Sequence, residues 1–115
     1  MDKIVVVGSI NMDYTAILAE LPHPGETLLA KDFKMSGGGK GANQAMAAAI
    51  FSHHVTMIGM LGNDPAGHAL YKKMQSKGID VSCIEFTETP TGTALINVAE
   101  QGKNTIVVFP GANHQ

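Results

Sequence analysis

Lys40 stands inside a run of glycines, Gly37-Gly38-Gly39-Lys40-Gly41, and Asn43 follows two residues later. Glycine admits positive φ and lets a ligand come up against the backbone. The run behind the loop, from about residue 42 to 51, holds good helix formers and no interior Gly or Pro. A tight loop opening into a helix is therefore predicted. The first N–H groups of such a helix lack intrahelical partners and point back into the loop. Backbone donors, the Lys40 cation and the Asn43 amide would converge there, which suits an oxygen-rich ligand such as a sugar or a phosphate. The bland alternative is a turn that needs positive φ, with a solvated lysine. A second polar pair, Asn11 and Asp13, follows the apolar run 3–7 and alternates with Ile10 and Met12. Alternation places Asn11 and Asp13 on one side, where an amide and a carboxylate can donate to and accept from vicinal hydroxyls. A merely polar turn after a strand is the competing reading.

Two known glycine patterns bear on the loop. The phosphate-binding P-loop needs Ser or Thr directly after its lysine, and Gly41 stands there. The dinucleotide pattern is met by Gly37, Gly39 and Ala42, but it should follow a buried strand. Residues 32–36 are half polar instead. An acidic residue should also follow at a strand end, and Asp64 lies in a helix-capping turn. Nicotinamide binding is therefore a minor alternative.

The elements that must carry these groups read as follows. Residues 3–7 form a short β-branched run, the signature of a strand buried on both faces of a parallel sheet. Residues 14–19 and 27–35 alternate like half-exposed strands, separated by the turn Leu21-Pro22-His23-Pro24-Gly25-Glu26. The helix at 42–51 is apolar nearly all round and should be buried. Residues 55–61 are a second buried strand. Asp64 reads as N-cap and Pro65 as the first residue of another helix, with Ala66, Leu70 and Met74 on its core face and Gly78 at its end. Residues 79–86 hold a third strand, with Cys83 inside it. Residues 93–99 and 105–109 form a hairpin whose first arm puts Ala94, Ile96 and Val98 on one face. The order βαβαβ argues a right-handed, doubly wound parallel sheet with an antiparallel flap and an uncovered face. The end, from Pro110 on, reads as loop.

At 115 residues the chain is one domain at most. A net charge of −2 gives no electrostatic footing for nucleic acid. There is no arginine, which removes the usual bidentate phosphate clamp. The single cysteine excludes an internal disulfide and fits a reducing compartment. With Asp2 at its start and no long apolar run, the chain reads as cytoplasmic, without a signal peptide or membrane span. The adjacent His53 and His54 cannot share a helix face, and no histidine reads as catalytic.

The motifs, taken together, resemble a known family. Gly8-Ser9-Ile10-Asn11-Met12-Asp13, Pro24-Gly25-Glu26-Thr27, Gly38-Gly39-Lys40-Gly41-Ala42-Asn43-Gln44-Ala45, Gly62-Asn63-Asp64 and Pro90-Thr91-Gly92 occur in that order. They resemble the N-terminal part of ribokinase-like members of the PfkB-type carbohydrate kinase family, along essentially the whole chain. The resemblance implies an α/β fold, the N-terminal part of a doubly wound, ribokinase-like parallel sheet with a small antiparallel β lid near 14–35 and 92–109. It implies ATP-dependent phosphorylation of the 5-hydroxyl of ribose, with deoxyribose or another pentose as the runner-up substrate. The sugar-binding residues implied are Asn11, Asp13, Gly38, Gly39, Lys40 and Asn43, with Ala94 and Ile106 as apolar lid contacts. It also implies ATP, Mg2+ and a monovalent cation (K+), held mainly by a downstream half, and a homodimer formed through the lid. The family's Asp-Thr-x-Gly-Ala-Gly-Asp motif, with its catalytic base, does not occur in these residues. Gly62-Asn63-Asp64 and Gly111-Ala112-Asn113 lack its order. The expectation is a sugar-binding N-terminal half that is inactive alone. The alternative is a non-catalytic sugar-binding or lid-interaction module.

Overall fold

The computed structural model describes residues 3–114; Met1, Asp2 and Gln115 lie outside the described residues. Seven strands, two helices and a terminal 3-10 turn follow in the order β1 (Ile4–Val7), β2 (Asn11–Leu18), β3 (Asp32–Gly38), α1 (Lys40–Phe51), β4 (Val55–Gly62), α2 (Pro65–Ser76), β5 (Ile84–Thr87), β6 (Gly92–Ala99), β7 (Asn104–Phe109) and the 3-10 turn Gly111–His114. They build two sheets. One is parallel, in the order β1-β4-β5, and the other is four-stranded, in the order β3-β2-β6-β7.

Both crossovers of the parallel sheet advance the same way, so right-handed connections put α1 and α2 on one face. One core results, in which Val6, Ile10, Met57, Leu61 and Ile84 meet Ala42 and Ala45 of α1 and Leu70 and Met74 of α2. The other face carries Val5, Val7 and Ile58, which are 52%, 72% and 37% exposed. The anticipated uncovered face is thus present. The expectation that β1 is buried on both sides is corrected: side chains alternate across the strand, and only the Val6 side meets helices.

The lid is mixed rather than purely antiparallel. β2 leaves the carboxyl end of β1 and β6 leaves that of β5, so both run outward and pair in parallel, Asp13 opposite Ala94. β3 and β7 return beside them as antiparallel outer strands. β2 begins at Asn11, three residues before the expected start, and β3 begins at Asp32 rather than at 27. Glu26 N–H bonds His23 O, closing the turn that Pro24 and Gly25 (φ 80°) form.

Helix α1 starts at Lys40, two residues earlier than its periodicity indicated. It is not buried all round. Gly41, Ala42 and Ala45 face the core, while Ile50 and Phe51 are 77% and 90% exposed. Helix α2 follows its sequence signals. The Asp64 side chain accepts from Gly67 N–H at 2.7 Å, Pro65 opens the helix, and Gly78 (φ 82°) ends it. Ala66 is only partly buried beside Leu70 and Met74. Cys83 lies in an exposed turn just before β5 rather than inside a strand.

Candidate functional site

The chain turns from β1 into the lid through Gly8, Ser9 and Ile10, and the amino end of α1 packs on that turn. Ala42 N–H donates to Ser9 O at 3.0 Å. The fit leaves no room for side chains. A Cβ at Gly41 would stand 2.6 Å from the Gly8 carbonyl carbon, and one at Gly39 would stand 2.7 Å from Ser9 O. Gly39 also has φ 92°, where a side chain is strained. The glycine run therefore serves a close approach between α1 and the β1–β2 turn. It caps α1 without any side-chain acceptor; Ser9 O and Gly39 O take the Ala42 and Asn43 N–H groups, which leaves those of Lys40 and Gly41 at the helix start for a ligand.

Asn11 and Asp13 sit on β2 itself, one pleat apart and on the same face, as alternation required. They lie in a lid strand that starts earlier than expected, and not in the polar turn of the competing reading. The Asp13 carboxylate lies directly over Gly38, where any Cβ would overlap it. Ser36 and Ala94 are its cross-strand neighbours. Burial alone acts on the Asp13 carboxyl and pushes its pKa above the ordinary value. It is a half-buried acceptor with no charge or hydrogen bond shifting it down, poised to take protons donated by a ligand.

Asn11, Asp13, Gly38, Gly39 and Ala94 thus come together. Lys40 and Asn43 stand exposed on the first turn of α1. Asn43 lines a small cleft of about 150 Å3 between α1 and α2, with Gly37, Met46, Leu70 and Lys73. Ile106 lies further off. It pairs with Ile96 on the row of Thr15, whereas the strand-β7 residue on the row of Asp13 is Val108.

Two networks fix this arrangement, and neither was visible beforehand. The first joins Asp64 to Thr91, which is 2% exposed. Thr91 Oγ1 donates to Asp64 Oδ1 at 2.6 Å, Thr91 N–H donates to Asp64 Oδ2 at 2.9 Å, and Gly62 N–H donates to Thr91 Oγ1 at 2.9 Å. The cap of α2 therefore also anchors the start of β6. Burial pushes the Asp64 carboxyl up, but the Thr91 and Gly67 hydrogen bonds and the nearby His68 ring outweigh it and hold the pKa below the usual value. The second network starts at Asn113. Ile10 N–H donates to Asn113 Oδ1 at 2.9 Å, and Asn113 Nδ2 donates to Ile10 O at 3.2 Å and to Asn11 Oδ1 at 2.8 Å. Gly92 leaves the space, since a Cβ there would overlap the Asn113 amide. The signal for Asn113 was the Pro110-Gly111-Ala112-Asn113 stretch, which composition marked only as loop. His68 is a packing residue, stacked on Phe86 with ring centroids 4.7 Å apart.

The whole length matches one family model, the pfkB family carbohydrate kinases, over residues 1–115. The chain belongs to the pfkB family of carbohydrate kinases. The ribokinase of Bacillus subtilis (strain 168) is 43% identical over 98% of the chain. A deoxyribokinase of Salmonella typhi is 38% identical over 96% of it. The structure of Arabidopsis thaliana ribokinase complexed with ribose and ATP superposes with a TM-score of 0.87 at 34% identity over 96% of the chain. The chain spans 39% of the Bacillus relative, 36% of the Salmonella one and 36% of the Arabidopsis structure. Within the pfkB family fold, the described residues make up the β1-β4-β5 parallel sheet, its two helices and the mixed lid sheet.

Proposed function

We propose that this pfkB-family chain is the sugar-binding N-terminal part of an ATP-dependent kinase that phosphorylates D-ribose on its 5-hydroxyl. The observation that carries the reading is the Asp13 carboxylate held over Gly38 at the mouth of α1, with Asn11 one pleat away. A furanose or open pentose offers adjacent hydroxyls, each able to donate and accept. Asp13 takes two of those protons in charge-assisted bonds. Asn11, Asn43, Lys40 and the free N–H groups of the first turn of α1 supply donors. Gly38 and Gly39 let the ring lie against the backbone, and Ala94 gives it an apolar floor, with Ile106 further along the lid.

Phosphoryl transfer rests on positioning and on stabilising the charge of the transferring group. The residues present do the first for the sugar. The base, the anion hole and the ATP pocket lie, on this reading, in sequence beyond residue 115. No group of three or more His, Cys, Asp or Glu residues fit to hold a metal occurs among the described residues. On this reading Mg2+ and K+ would be held mainly by the downstream half. The lid, with its exposed apolar face, is the surface on which a second copy would pair.

The 115-residue chain supplied with D-ribose and ATP is expected to bind the sugar and yield no ribose 5-phosphate. A chain continued to the length of its Bacillus relative is expected to yield it. Turnover by the short chain would overturn the division of labour, and absence of ribose binding in both would overturn the sugar reading. The Salmonella relative makes 2-deoxyribose the competing substrate, so both pentoses belong in the assay. A site that hydrogen-bonds the 2-hydroxyl should reject the deoxy sugar strongly.

A further inference from the structure

We infer that Asn113 is a positioning residue that sets which end of the Asn11 amide faces the sugar; this rests on Asn11 being a sugar-binding group. The orientation follows from one backbone donor. Ile10 N–H can only donate, so the Asn113 atom 2.9 Å away must be its carbonyl oxygen. The Asn113 nitrogen then lies on the other side of that amide, 2.8 Å from the Asn11 side chain. An amide nitrogen can only donate, so the Asn11 atom facing it must be oxygen. The Asn11 NH2 group is thereby turned away from Asn113.

The site then holds a donor at Asn11 and an acceptor at Asp13, one pleat apart on one face of β2. With the opposite orientation it would present two acceptors, and one of a pair of ligand hydroxyls would lose its donor. Asn113 lies more than 100 residues from Asn11 in sequence, so the last described turn of the chain acts on its second strand. Gly92 takes part passively, because any side chain there would fill the space of the Asn113 and Asn11 amides.

The test uses the full-length protein, D-ribose as the probe, and pH 8, where Asp13 is ionised. Asn113→Asp keeps an acceptor for Ile10 N–H but offers Asn11 a second oxygen. The Asn11 amide must flip to donate to it. Asn113→Ala removes the clamp and leaves Asn11 free to sample both orientations. Ribose affinity should therefore fall about ten-fold or more in Asn113→Asp and by less, about three-fold, in Asn113→Ala. The Michaelis constant for ATP should stay within about two-fold of wild type in both. A purely structural Asn113 predicts instead that both variants lower the melting midpoint, Asp included because its second oxygen would face Ile10 O, with the ribose and ATP constants moving together. That pattern, or ribose affinity unchanged in both variants, would overturn the inference. Should Asn113→Asp fail to fold, wild-type NMR decides. A through-bond coupling from Ile10 N to the Asn113 side-chain carbonyl carbon is expected, and its absence would overturn the assignment. Because the coupling is read without sugar, it separates failure of this inference from failure of the ribose reading.

Discussion

In the proposed site Asp13 is the charged acceptor for the sugar, and its burial has two consequences of opposite sign. Its folded pKa is raised above the unfolded value, so ionised Asp13 costs stability at neutral pH, and the cost fades as pH falls. Ligand hydroxyls, however, need the ionised form as acceptor. Ribose affinity is therefore expected to fall on acidification, with a midpoint above the roughly 3.9 of an unperturbed aspartate. Asp13→Asn should remove that pH dependence, weaken ribose binding, and raise the thermal midpoint at pH 7. Calorimetry and a melting curve on the same preparation check both, and a variant that loses binding without gaining stability would contradict the account. Asn11, Asp13 and the glycine run could be picked out in the sequence because polar types at a strand end and clustered glycines are local signals. Asn113 and Thr91 could not. Their partners are Ile10, Asn11 and Asp64, and no local pattern encodes a hydrogen bond across so long a stretch of chain.

Among the elements, α2 was legible to its caps, because Asp64, Pro65 and Gly78 each answer a requirement of the helix backbone itself. The lid strands were legible as strands but not in direction. Pairing between β2 and β6 depends on where β1 and β5 deliver the chain, which is a property of the parallel sheet. The burial of α1 was overread, since its apolar back reaches no other described element. The Asp64–Thr91 bond couples the helix to the lid, so Asp64→Ala should cost more than an ordinary cap. Loss of the cap is worth about 1 kcal/mol, and orphaning the buried Thr91 adds roughly 1–2 kcal/mol. A urea midpoint lowered in proportion is expected, and a loss under about 0.5 kcal/mol would contradict the coupling. The Asp64 pKa is depressed in the fold. Its contribution is complete above the unfolded carboxylate pKa and is lost as pH drops through the lower folded value.

At the largest scale, the described residues measure 52 × 32 × 19 Å. One row of side chains crosses all four lid strands: Met35, Tyr14, Leu95 and Val107, on the face opposite Asp13. Met35, Leu95 and Val107 are each more than half exposed, and exposed apolar area of this kind drives association. The protein is expected to self-associate through the lid, and the cross-strand pair Leu95→Lys with Val107→Glu should shift light-scattering mass toward monomer. An unchanged mass would place association elsewhere, such as on the Val5, Val7 and Ile58 face. The α/β class and the bare sheet face were readable from strand order alone. The mixed lid and its apolar row were not, because they depend on register.

The measurement that bears most directly on the central claim is the ribose Michaelis constant of the Asp13→Ala full-length enzyme. Removing a charged acceptor for two hydroxyls should raise it by about 100-fold, on the order of 2–3 kcal/mol, while the ATP constant stays near wild type. A ribose constant equal to wild type would show that the sugar does not sit on Asp13, and the site described here would then be wrong.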